Sequence, residues 1–234
     1  PACPDQESYR QKIAELEAEM VGDEPFFSWG FHASWHGDMS RKVLDAISTT
    51  RPMVVWHRSF HEVYLNSAML ELLEITQEGV GARQQIDFER GHFYEVGLGY
   101  AIQKLNRFIM SDEWILKGLD RLKQIVHLGG HTTVGDLAVG LFDYELERAL
   151  SVSVLDQANV PFRVLGVPHA GSAARLKGGH KEVVAHINEL QGSDTSRIRH
   201  GKHIKVFTDG AFFSELAMLQ EPGYLDGHHG EWLM

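Results

Sequence analysis

From His131 to Thr208 the chain alternates short apolar or β-branched runs with helix-period segments of about ten residues or more, and nothing else in the sequence restricts the fold as strongly. His131-Thr132-Thr133-Val134-Gly135-Asp136 predicts a strand, Asp143 to Gln157 a helix, Pro161 to Val167 a strand, Lys181 to Leu190 a helix, and Ile204-Lys205-Val206-Phe207-Thr208 another strand. Strands separated by helices cannot pair through tight hairpins, so they pair in parallel as βαβ units. Three such strands in consecutive units fit between residues 130 and 210, enough for part of a barrel or of a doubly wound sheet.

The preceding residues follow a different pattern. Ile13, Leu16 and Met20 recur at helical spacing, predicting a surface helix over Gln6 to Met20. Pro25 to Gly30 reads as a strand feeding a loop from Phe31 to Ser40, and Met39 to Ile47 as a short helix with Ser40 as its N-cap. Arg51-Pro52 breaks that helix, Met53 to His57 is an apolar strand, and a helix from Ser67 to Leu73 follows a turn at Asn66. Gly79 to Arg90 reads as a loop, and Glu95 to Val126 as two helices parted at Ser111-Asp112 and closed by Gly129-Gly130.

Composition excludes several classes of function. Lys and Arg number 22 against 32 Asp and Glu, a formal charge of −10, the wrong sign for neutralising phosphates, so nucleic acid is not an expected partner. The apolar runs, such as Met53 to Trp56 and Leu137 to Phe142, fall far short of the ~20 residues that span a bilayer, so no membrane partner is expected. A single cysteine, Cys3, makes no internal disulfide, and the chain opens without the basic-then-apolar order of a signal peptide; both point to the cytoplasm.

In parallel α/β sheets ligands bind beyond the carboxyl ends of the strands, which selects Asp136, His169 and the stretch Lys205 to Gly210. Lys205 lies inside an apolar run, where a bare ammonium needs compensation. Two readings remain open: an ion pair with Asp209 or Asp136, or a lysine acting as a base or as a nucleophile toward carbon dioxide. The 14 histidines include His32 with His36, His57 with His61, His200 with His203, and His228-His229, none within a His-Glu-x-x-His helix. Nucleotide-binding and serine-hydrolase glycine motifs are absent, and Gly178-Gly179 reads as a flexible connection.

Three stretches carry a resemblance: Arg51-Pro52-Met53-Val54-Val55-Trp56-His57-Arg58-Ser59-Phe60-His61-Glu62-Val63-Tyr64-Leu65-Asn66-Ser67-Ala68-Met69-Leu70, then Thr132 to Asp136, then Ile204-Lys205-Val206-Phe207-Thr208-Asp209-Gly210-Ala211. In this order they resemble the amidohydrolase superfamily, and within it the amidohydrolase 3 branch of N-substituted formamide deformylases and exoenzyme regulatory proteins. The resemblance implies a (β/α)8 barrel, a small β-sandwich built from the chain ends, and a metal centre at the carboxyl end of the barrel. It implies as metal ligands a His-x-His on the first strand, a lysine or acid on the fourth, single histidines on the fifth and sixth, and an aspartate on the eighth. Thr132 to Asp136 is then similar to the second strand, Phe162 to Val167 to the third and Ile204 to Thr208 to the fourth, placing Lys205 where related enzymes carry a carboxylated lysine bridging two metals.

The expected fold is therefore α/β, with strands 2–4 of a (β/α)8 metal-dependent hydrolase barrel in residues 129–234 and a large α+β insertion in residues 1–128. No His-x-His occurs in the chain, so the first-strand ligands are expected before Pro1 and the later ones, with the catalytic aspartate, after Met234. The chain reads as the middle of an enzyme of roughly twice its length, inactive alone. The resemblance implies one or two zinc-like divalent ions, Lys205 as a ligand, and His57, His61, Asn66, Asp209, Trp29 and His32 facing a small-molecule substrate with a C–N bond to be hydrolysed. A homodimer is one option for its assembly. Two rival readings are a catalytically silent barrel that binds or regulates, and a sugar- or phosphate-handling barrel.

Overall fold

The structure, a computed structural model, describes residues 3–141 and 143–233. Two compact units arise: Pro1–Asn106 together with Phe207–Met234, and Arg107–Val206. The final stretch returns to the first unit, where Ser214, Ala211 and Glu231 bond to Ser59, Glu95 and Gln85.

In the first unit α1 (Gln6–Glu19) starts at Asp5, whose carboxylate accepts the Ser8 amide at 2.9 Å while Ser8 Oγ accepts the Asp5 amide, a reciprocal cap. Met20, expected inside this helix, terminates it. Tyr9 and Ile13, one turn apart, bury against Phe31, Met39, Leu44, Met53 and Val55. β1 (Phe26–Phe31) leads through α2 (Ala33–His36) and α3 (Arg41–Asp45) to β2 (Met53–His57), which pairs with β1 in parallel. Arg51, ahead of β2, holds the α1–β1 connection by donating to Glu17 at 3.1 Å and to the carbonyls of Met20, Gly22 and Glu24.

The chain then reverses at Phe60, where φ is 65°, into β3 (Glu62–Leu65). After α4 (Ser67–Leu72) and α5 (Gln77–Val80) come β4 (Ile86–Asp87), β5 (His92–Tyr94) and α6 (Val96–Ile109). The sheet runs β1-β2-β3-β5-β4, antiparallel from β2 onward. Three of these strands escape the sequence reading: β3 is short and follows a turn without glycine, and β4 and β5 are too short to show a period.

The second unit contains α7 (Asp112–Leu128), capped by Ser111 as expected, then β6 (Thr133–Val139), α8 (Tyr144–Leu155), β7 (Arg163–Pro168), α9 (Ala170–Lys177), α10 (His180–Gln191) and β8 (Ile198–His200). The three strands are all parallel, in the order β6-β7-β8. Val126, Leu155, Val160, Phe162 and Ile198 form the core beneath them. Mixed α/β architecture with parallel strands is thus established, while the all-parallel sheet of the second unit has three strands among the described residues and is not a closed barrel.

Gly178-Gly179, read as a connection, joins α9 to α10 with φ of 93° and 154°, values that glycine tolerates without strain. One expectation fails here. Ile204 to Thr208 is not a strand; the third parallel strand is Ile198–His200, and Lys205 contributes only a single parallel bridge to His169. Ile204 and Val206 are half exposed, so no buried sheet surrounds Lys205 and the desolvation argument for it lapses. Among the described residues no helix is long and apolar enough to cross a membrane.

Candidate functional site

Parallel pairing of β1 and β2 aligns Trp29 with Trp56 and Phe31 with His57, so the residues following both strands meet at one edge of the first unit. The His32 and His57 rings lie 5.0 Å apart, and His32 stacks on Trp35 at 4.5 Å. Exposed Trp29 stacks on exposed Phe60 at 5.6 Å, and Phe60 in turn leans on buried Trp56 at 5.8 Å. Arg58 covers the Trp35 ring at 4.9 Å. Trp29, His32, His57 and His61, chosen from sequence, are thus carried by this edge and the turn that follows it.

Behind the edge lies a buried polar network. The Ser59 amide donates to His57 Nδ1 at 3.2 Å, which makes Nδ1 the bare nitrogen and leaves the proton on Nε2. Ser59 Oγ lies 2.8 Å from the same nitrogen and 2.6 Å from Ser214 Oγ. Glu62 accepts from His92 Nε2 at 2.7 Å and from the Tyr64 hydroxyl at 3.3 Å. Burial pushes His57 down to about 4, against the opposing pull of Glu62, so at neutral pH its imidazole is uncharged. Burial works against ionisation of Glu62, but hydrogen bonding and charge from His92 prevail and hold it below the usual range. Burial, then the Glu62 charge, raises Tyr64.

His61 turns to another acid: its Nδ1 lies 2.9 Å from Glu95 Oε2, and the second Glu95 oxygen accepts the Ala211 amide at 3.1 Å. The Asp209 carboxylate accepts the Thr208 hydroxyl at 2.7 Å and the Met218 amide at 2.8 Å, which pins a turn and lowers its pKa in that order of effect. Asn66 is fully buried; it accepts from the Met53 and Met69 amides and donates to the Ser48 and Arg51 carbonyls, so its amide is committed to the fold and presents nothing to a substrate. Ser59, Glu62, His92, Glu95 and Ser214 were not selected from sequence. The alternation His57-x-Ser59-x-His61 was the available signal for Ser59, while the others join only through pairing and the returning tail.

In the second unit Lys205 and His169 form a parallel bridge at the carboxyl end of β7, with the Lys205 amide donating to Pro168 at 2.9 Å and the Ala170 amide to Lys205 at 2.9 Å. His169 caps α9 by accepting the Ser172 amide at Nδ1, and burial followed by the charges of Arg175 and Lys205 lowers its pKa. Asp136, on exposed β6, accepts the Ala138 amide at 3.3 Å. Among the described residues no group of three or more His, Cys, Asp or Glu side chains could hold a metal ion. A zinc-like ion takes about four ligands, so His169 and Lys205 do not form a metal site by themselves.

No protein-family model matches the chain, and no curated protein matches it. Solved structures do. An uncharacterized metal-dependent hydrolase from Pyrococcus horikoshii OT3 is 20% identical, with a TM-score of 0.60 over 99% of this chain and 43% of its own. An uncharacterized metal-dependent hydrolase from Pyrococcus furiosus is likewise 20% identical, with a TM-score of 0.56 over 99% of this chain and 44% of its own. The chain shares their fold while spanning less than half the length of either.

Proposed function

We propose that this chain is part of a metal-dependent hydrolase of the amidohydrolase type that cleaves a C–N bond, amide or cyclic amide, in a small molecule. On this reading β6, β7 and β8 are strands of a (β/α)8 barrel, and the residues before them form a large insertion. The observation that carries it is the placement of Lys205 beside His169 at the carboxyl end of β7, the end at which parallel α/β sheets bind ligands. The fold likeness to metal-dependent hydrolases along nearly the whole chain supports the same reading.

Lys205, as its carbamate, would contribute one anionic oxygen ligand to one or two zinc-like ions, the other ligands coming from outside this chain. Such an ion, when bound, would supply a water of lowered pKa and a Lewis acid for the substrate carbonyl. This chain's own contribution is to hold Lys205 by backbone pairing and to offer Trp29, His32 and His61 as substrate-facing groups, with His57 behind them and Asp209 shaping the tail. Metal analysis of the intact protein tests the reading: one to two divalent ions per chain are expected, with loss of metal and of hydrolysis of formanilide, a simple aryl amide, in Lys205→Ala. Unchanged metal content in that variant sinks the ligand assignment. An intact protein that binds no metal would favour the alternative of a catalytically silent barrel that binds or regulates.

A further inference from the structure

We infer that His61 is a substrate-contacting residue set by Glu95 as a one-way hydrogen-bond acceptor, its Nε2 receiving an N–H or O–H of the substrate. The chemistry of that substrate rests on the hydrolase reading; the polarity of His61 rests on the first unit alone.

His61 is held at three points. Its amide donates to Ser59 Oγ at 3.0 Å, its carbonyl accepts the Glu95 amide at 3.0 Å, and its Nδ1 meets Glu95 Oε2 at 2.9 Å. The Glu95 side chain is 2% exposed, and its oxygen facing Nδ1 acts as acceptor, so in the neutral imidazole the proton sits on Nδ1 and Nε2 is left with its lone pair. His32 and His57 are set the opposite way, each taking a backbone amide (Ser34 and Ser59) at Nδ1. The edge therefore carries imidazoles of both polarities, a complement to a secondary amide, which has one acceptor and one donor.

The backbone is bent to make this pairing. Glu95 has φ of 45°, a left-handed conformation unusual for a side chain of its size, and strain of this kind gathers at functional positions. At Gly97 a Cβ would lie 2.1 Å from the Gln85 carbonyl, so the turn that delivers Glu95 leaves no room for a side chain there. The His61 side chain keeps 27% of its surface exposed and meets Phe207 edge-on at 6.1 Å between ring centres. A buried carboxylate behind a partly exposed imidazole is a usual way to orient a histidine for chemistry. Glu95 is the positioning residue.

The test uses the intact protein with nitrogen-15-labelled histidine and formanilide as probe. The His61 signal, assigned by its loss in His61→Asn, is expected to show a bare Nε2 and a protonated Nδ1, and Glu95→Gln to mix the two tautomers. The Asn amide restores the bond to Glu95 but has no counterpart of Nε2, so kcat/KM should fall by roughly tenfold or more with Tm unchanged. Tyr224→Phe, which removes the tail's bond to the Ala217 carbonyl without touching the dyad, should stay within about twofold of the parent. A bare Nδ1, or a His61→Asn variant with full kcat/KM, overturns the assignment. If the parent does not hydrolyse formanilide, the hydrolase reading fails separately, and the Nε2 resonance decides: movement on adding formanilide upholds the acceptor role, and none overturns it.

Discussion

His57 Nδ1 stands 3.7 Å from Glu62 Oε1, with both side chains almost sealed from solvent. Because burial holds His57 near 4 in the fold, against an ordinary value of 6.5, the unfolded chain binds more protons between those limits. Stability is complete above the upper limit and falls as pH drops through the window, by on the order of 3 kcal/mol for this group. Glu62, also held below its ordinary value, loses its contribution as pH falls through its own folded pKa and so adds to the acid sensitivity. Urea unfolding of the protein at pH 7 and pH 4.5 checks this: the midpoint should fall on acidification, and His57→Gln should flatten that dependence. An unchanged slope in the variant would assign the acid sensitivity elsewhere.

Asn66→Ala should destabilise the first unit without altering the chemistry of the edge. It removes the cap of α4 and leaves the Met53 amide without its buried acceptor, a cost of about 2–4 kcal/mol. A denaturation midpoint close to that of the parent would show that water replaces these bonds.

The tail from Phe207 is seated on Glu95 through a close approach at Gly210. A Cβ there would lie 2.4 Å from Leu216 Cβ and 2.5 Å from the Leu216 carbonyl. Gly210→Ala should therefore lift the tail at a cost of about 1–3 kcal/mol. Limited proteolysis reports this as faster cleavage between residues 207 and 216, and an unaltered cutting pattern speaks against a tight seat.

Lys205→Arg separates charge from carbamate chemistry. A guanidinium remains protonated and does not take up carbon dioxide as an amine does, so the proposed function predicts the same metal loss as in Lys205→Ala. Metal retained by the arginine variant and lost by the alanine one would mean that Lys205 acts through its charge.

Much of the second unit was legible because its elements declare themselves locally. Ser111 and Asp143 cap helices where they stand, and Val134 and Val164 belong to strands with helices between them, which imposes parallel pairing. Lys205 was legible as a position at a strand end but misread as part of a strand. The apolar run Ile204 to Thr208 satisfies β propensity, yet Ile198–His200 takes the place beside β7 and leaves Lys205 one bridge.

The sequence by itself determined the parallel βαβ class of the second unit, the net negative charge, the caps at Ser40 and Ser111, and the histidines at the end of β2, because composition, periodicity and capping act within a few residues. Only the tertiary structure decided which of those histidines are donors and which an acceptor. That choice depends on Glu95 and Glu62 reaching His61 and His92 across 34 and 30 residues, and on the tail bringing Ala211 to Glu95 across 116. No local pattern encodes a partner that distant; it exists once strand pairing has placed it.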